Sequence, residues 1–266
     1  MSIRAIGRSA SGGLEVFAAW CASWWRVLHF GATALVMAAS PQAYDRATSN
    51  LMARQIYFTA WQILPGFVLV CALLSYMVIR IVVAAAGTYG LAEYALSFAV
   101  RVQVLELVPT FVALFVALRS GAAINTEVAL MHIRGDLDAL QRAGADPMRH
   151  QLVPRVIGSA VSVVSLTVIG GAIALMLAYV AMYGFSPGGI DEYTEVIGSI
   201  FDLPVALGLG LKAPFFGLAV AIIPISASLE VPREARFAAI AVRSGMVRLF
   251  LALALIEGAS LAIKYI

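Results

Sequence analysis

Glu106 stands inside a long apolar run, three residues before Pro109 and five after Arg101. Ionisable groups in hydrocarbon are costly, so they tend to face a cavity or pair with a partner. Proline removes a backbone hydrogen bond and distorts its helix, which puts Glu106 near a bend. Two roles fit Glu106: a polar spot in a substrate cavity, or one half of an ion pair that fixes helix packing. Arg80 and Lys212 lie near the outer ends of the first and fourth spans, where snorkelling stems explain them as well as a cavity or pairing role does. Glu257 lies deep in the last run and is expected to pair internally.

A second locus of chemistry is polar. Between Arg119 and Arg155 the chain places nine charged residues, out of 18 basic and 15 acidic in all. From 133 to 143, Leu137 and Leu140 share a helical face at i,i+3. Arg134 with Asp138, and Asp138 with Arg142, fall at i,i+4 and are expected to pair along the helix. Gly144 stops that helix and Asp146-Pro147 opens the next turn. So long a stretch with its own amphipathic helix is more than a connector requires. A charged helix held between membrane-length segments offers a handle to a soluble partner, as in a transporter subunit driven from outside itself.

Catalysis finds no footing. There is no GxxxxGK[ST] phosphate loop and no HExxH, and His29, His132 and His150 are scattered. Ser75, Ser97, Ser162 and Ser165 have no histidine at membrane depth to activate them. The reading is a non-catalytic chain without metal or cofactor. Cys21 and Cys71 sit far apart in apolar surroundings and read as small hydrophobes.

The elements that must position these residues follow from composition. At 62% hydrophobic and 12% charged, with a mean hydropathy of +0.92, the chain is too apolar for a soluble domain. The expected fold is an all-α polytopic membrane protein with spans at 63–86, 94–118, 153–183, 203–229 and 238–263. No removable leader is read at the N-terminus. Five arginines precede the first span, five lie from Arg119 to Arg155, and four from Arg233 to Arg248. All fall on one side if the N-terminus is cytoplasmic, so the net +3 is a topology signal, not a nucleic-acid patch. Residues 14–39 tempt a sixth span, but Arg26 and His29 fall in the middle, and Trp20, Trp24 and Trp25 favour the headgroup level. They are read as an interfacial helix, broken by Pro41.

From Glu106 to Gly158 the chain resembles the MlaE-type (YrbE) permeases of ABC transporters, which handle lipids with MCE-domain partners. Glu106, Leu107 and Pro109 match the opening of that family's pattern, and Arg119, Gly121, Ala123 and Glu127 its next part. Met131, Leu137, Asp138, Ala139, Leu140, Gly144, Asp146, Pro147, Arg149, Pro154 and Arg155 complete the register. Weaker likeness touches Arg54 to Tyr57, Gly184 to Pro187, and Lys212 with Phe216-Gly217.

The resemblance implies a homodimer in a bacterial inner membrane, with residues 133–143 as the coupling helix seated in a cytoplasmic ATPase subunit. Arg134, Asp136, Leu137, Asp138, Leu140, Asp146 and Arg149 would carry that contact. It implies an MCE-domain ring outside and a lipid pocket near Glu106 and Leu107. Arg101 would stand in for the family arginine that Leu105 replaces. Gly135-Asp136 replaces a Glu-Gln pair, so the coupling helix is expected to start later. The loop between the last two spans, from Leu229 to Arg236, lacks the family's glycines, which marks a divergent member. An ion-coupled secondary transporter using Glu106 and Glu257, or a scaffold anchoring an MCE protein, are the competing readings.

Overall fold

In hydrocarbon every backbone N–H and C=O must be satisfied within its own segment, which leaves helices for a chain of this composition. The computed structural model describes residues 3–40, 46–234 and 238–265, and every regular element among them is helical. Helix α1 (Ile3–Ala38) is followed by α2 (Arg46–Ile56), which passes through a π-helical turn at Tyr57–Trp61 towards α3 (Leu64–Thr88). The next rod joins α4 (Ala95–Val100), a π turn (Arg101–Leu107), α5 (Val108–Val116), a second π turn (Ala117–Gly121) and α6 (Ala122–Arg134). Then come α7 (Asp136–Arg142), a π turn (Met148–Leu152) and α8 (Val153–Tyr183), followed by α9 (Ile190–Ile200), α10 (Leu203–Leu229) and α11 (Ala238–Tyr265).

Five helical stretches are long and apolar enough to cross a membrane: Thr48–Thr88, Ala95–Arg134, Met148–Tyr183, Leu203–Leu229 and Ala239–Lys264. The protein is an all-α polytopic membrane protein. Helix α1 is not one of the five, although it runs unbroken from Ile3 rather than from residue 14. The break expected at Pro41 lies outside the described residues. Helix α9, on an acidic stretch with no span-length apolar run, is tied down by Tyr193, whose hydroxyl donates to the Leu175 carbonyl at 2.8 Å. Burial pushes that phenol up to about 12.

Three of the π turns end just before a helix with proline in its first turn: Pro65, Pro109 and Pro154. Proline lacks an N–H, so the ordinary i→i−4 ladder fails there, and a wider turn is one way the chain takes up the mismatch.

Helix α10 is the centre of the bundle, buried almost continuously from Phe216 to Ser228 against α8, α11, α6 and α5. Close approach there depends on glycine. A Cβ on Gly217 would lie 2.6 Å from the Ala160 Cα of α8, so no side chain fits that crossing. Farther along, Ser228 of α10 donates to the Asn125 side chain of α6, whose amide points at the Ala241 and Val242 carbonyls of α11. One buried polar clamp thereby joins three helices.

Candidate functional site

Lys212 is the residue around which the site is built. Its side chain is 4% exposed, and its ammonium lies 2.6 Å from Glu106 Oε2 and 2.8 Å from Glu257 Oε2. The first contact is a directed hydrogen bond; the second is an ion pair by distance that misses hydrogen-bond direction. Lys264 Nζ completes the cluster at 2.7 Å from Glu106 Oε1. Two carboxylates and two ammonium groups, from the π turn, α10 and α11, thus gather in the bundle and balance in charge. Of the two readings open for Lys212, snorkelling is the one set aside: its stem turns inward because two partly buried carboxylates and a carbonyl hold it more strongly than the headgroup layer. Arg80, by contrast, is exposed.

That carbonyl explains the position of the cluster. Residue 109 is proline and offers no N–H to the carbonyl four residues back, that of Leu105. Lys212 Nζ donates to this oxygen at 3.1 Å. Pro109 therefore leaves an acceptor that an ammonium fills. Lys212 also lies 5.9 Å from the centroid of the Phe216 ring, a weak cation–π contact.

Beside the cluster opens a cavity of about 610 Å³. Leu105 and Glu106 form one wall, Val205, Leu209 and Phe215 of α10 a second, and Ile256 and Ile263 of α11 a third. The lining is almost wholly apolar apart from Glu106, Lys212, Lys264 and Ser260. Such a space takes hydrocarbon along its walls and a polar group at the charged corner. Of the three residues expected at a substrate pocket, Glu106 lines this cavity. Leu107 does not; it is 41% exposed, while Leu105 takes the wall position. Arg101 opens the π turn, away from the cavity lining. Periodicity did not reveal Lys212 and Lys264, because their partners lie on other helices.

The other group of expected residues surrounds α7. Gly135 adopts a left-handed φ of +76°, which ends α6 and starts α7 at Asp136. Arg134 and Asp138 therefore do not share one helix, and the expected pairing of Asp138 with Arg134 and Arg142 is corrected. Its carboxylate takes two hydrogen bonds from Arg233, in the α10–α11 connection, at 2.5 and 3.1 Å. Arg142 reaches only the Asp138 backbone oxygen, at 3.3 Å. Leu137 is buried and Leu140 half-buried, while Arg134 and Asp136 are exposed. Asp146 accepts from the Met148 N–H at 2.9 Å, and the partly buried Arg149 leaves its Nε without a hydrogen-bond partner.

Glu230, at the end of α10, gathers Ser23 and Arg26 of α1 and Arg248 of α11 within 3.0 Å each for its closest contacts. Burial alone pushes its carboxyl up, but hydrogen bonds from Arg26, Arg248 and Ser23 together hold it below its ordinary value. The loop that departs from the family pattern thus binds α1 through Glu230 and α7 through Arg233.

Three of the four serines weighed as nucleophiles are occupied structurally: Ser75 accepts from the Gln103 amide at 2.8 Å, and Ser162 and Ser165 donate to backbone carbonyls. Among the described residues, no three His, Cys, Asp or Glu side chains are grouped to hold a metal ion.

Residues 52–262 match the family described as Permease MlaE. A probable ABC transporter permease protein of Rickettsia prowazekii is 34% identical over 119 residues, 44% of this chain and 46% of that one. One from Rickettsia conorii is 29% identical over 180 residues, 65% and 67% of the two chains. The intermembrane phospholipid transport system permease protein MlaE of Haemophilus influenzae is 29% identical over 133 residues, 48% and 50%. The matched stretch spans about half the length of the first and last of these relatives.

Proposed function

This chain belongs to the MlaE permease family, and from that premise we propose that it moves phospholipid or a related lipid for a separate ATPase subunit. In this reading it is the non-catalytic membrane half of an ABC system, passing lipid between the inner membrane and an MCE-domain partner outside. The observation that carries it is the apolar cavity closed at one corner by Glu106, Lys212 and Lys264, with Glu257 paired to Lys212. Acyl chains match the walls, and the charged corner fits the polar end of a lipid.

Further features support the arrangement of partners. The end bearing α7 and the α10–α11 connection is rich in arginine, whereas the opposite connections carry Glu93, Asp191, Glu192, Glu195 and Asp202. By the positive-inside rule the α7 end is cytoplasmic and so is the N-terminus. There α7, braced by Arg233, is the coupling helix that the ATPase subunit grips. Exposed Trp20 and Trp25 suit α1 to the interface of that leaflet. Exposed Leu207, Leu211 and Phe215 on α10, with Leu251 and Leu255 on α11, suit a homodimer that closes the cavity with a second copy.

The ion-coupled reading gives Glu106 and Glu257 a cycling role, but both are held by Lys212, which supports a standing cluster instead. Co-purification tests the proposal: a dimer carrying an ATPase and an MCE protein, with lipid retained and seen by mass spectrometry, is expected. A stable monomer that transports lipid without an ATPase refutes it.

A further inference from the structure

A second pocket, of about 470 Å³, lies near the α7 end and shares no lining residue with the first. Arg119, on its wall, follows Glu106 by thirteen residues along one helical rod. At 1.5 Å per residue that is about 20 Å from the cavity's charged corner. Three guanidinium groups line the pocket, those of Arg54, Arg119 and Arg155, against one carboxylate, that of Glu127.

The pocket is built rather than incidental. Arg155 is 7% exposed and is fixed from behind, its Nη1 donating to the Gln151 backbone and side-chain oxygens and its Nη2 to Glu127 at 3.2 Å. The buried Thr59 and Ser120 add hydroxyls to the wall. Glu127 is already engaged by Arg155, while Arg54 and Arg119 have no ion-pair partner among the described residues. Arg54 instead lies over the Phe58 ring, 5.6 Å from its centroid. A walled recess with two uncompensated positive charges concentrates anions. Planar guanidinium forks suit the oxygens of phosphate in particular.

The depth of the pocket identifies the source of that anion. Tyr57, Phe58 and Trp61, all exposed, run along the rod directly beyond Arg54. Exposed aromatics of this kind collect at the level of lipid headgroups. We propose that this pocket binds the phosphate of an anionic lipid from the leaflet on the α7 side, with Arg54 and Arg119 as donors and Arg155 as its fixed floor. The site is separate from the central cavity and does not depend on that cavity's carrying lipid.

The test is native mass spectrometry of the full-length chain after exchange with vesicles of equal phosphatidylglycerol and phosphatidylcholine. The expected result is a phosphatidylglycerol retained at least ten-fold over phosphatidylcholine, with the preference lost in Arg54→Gln/Arg119→Gln and kept in Arg80→Gln. Should the glutamine variant not fold, Arg54→Lys/Arg119→Lys carries the test: it keeps charge, loses the forks, and is expected to lower retention at least three-fold. Inorganic phosphate that displaces the lipid from the wild type alone supports the same chemistry with a soluble source; lack of displacement assigns the lipid. Equal phosphatidylglycerol retention in the folded variants and the wild type, or no preference in the wild type, overturns the proposal. Cavity lipid is scored separately with Glu106→Trp, so failure of the transport reading leaves this outcome legible.

Discussion

Replacing Lys212 with methionine tests the charged corner directly. At 2.6 and 2.8 Å, each attraction to a carboxylate is worth about 6 kcal/mol gross at an effective dielectric of about 20. Desolvation of the ammonium costs several kcal/mol and offsets much of this. The asymmetry on mutation is what matters. Lys212→Met leaves Glu106 with Lys264, but Glu257 has no other ion-pair partner among the described residues. A stranded buried charge costs about 3–5 kcal/mol. Glu257→Gln should cost less, about 1–3 kcal/mol, because Lys212 keeps Glu106 and the Leu105 carbonyl. The double variant restores charge balance and should be close to Glu257→Gln alone, so the coupling should be as large as the Lys212→Met cost itself, about 3–5 kcal/mol. Equilibrium unfolding in mixed micelles measures all three. If the two single costs add to within about 0.5 kcal/mol, the cluster is not a unit and this reasoning fails.

Asp138→Arg should sever the brace to Arg233 and weaken ATPase binding, and adding Arg233→Asp should recover it; a pull-down in which the swap rescues nothing argues against the brace. A bulky Glu106→Trp should empty the cavity of lipid while the protein stays folded, read by mass spectrometry of retained lipid. Gly217→Ala forces a Cβ against the Ala160 backbone and should cost about 1–3 kcal/mol, whereas Gly210→Ala, with open space around it, should cost little; equal losses on thermal denaturation contradict the crossing. The Glu230 carboxyl is held below its ordinary 4.5, so its tie to α1 contributes fully above that pH and fades as acid protonates it in the fold. Glu230→Gln should therefore flatten the acid limb of the stability profile below about pH 4.5, and an unchanged limb removes Glu230 as its cause.

Much of the site was half-legible. Glu106 beside Pro109 drew notice because a carboxylate in hydrocarbon and a missing N–H are both local facts. A glycine at 135 argues for a helix that begins after it, and α7 does begin at Asp136, past a left-handed Gly135. The i,i+4 pairs of Asp138 misled, since they assumed a helix running through a glycine that instead divides two. Helix α9 was overlooked because its eleven residues are too short for a span and its acidic face reads as loop.

Composition and hydropathic runs by themselves determined an all-helical membrane protein with five crossing segments, because the bilayer leaves an apolar chain few other ways to satisfy its backbone. Spacing along one helix can report only neighbours three or four residues away. The partners of Lys212 lie 106 and 45 residues distant, and that of Asp138 lies 95 residues away. Such pairs are decided by which elements the packed bundle brings side by side, and so belonged to the tertiary structure alone.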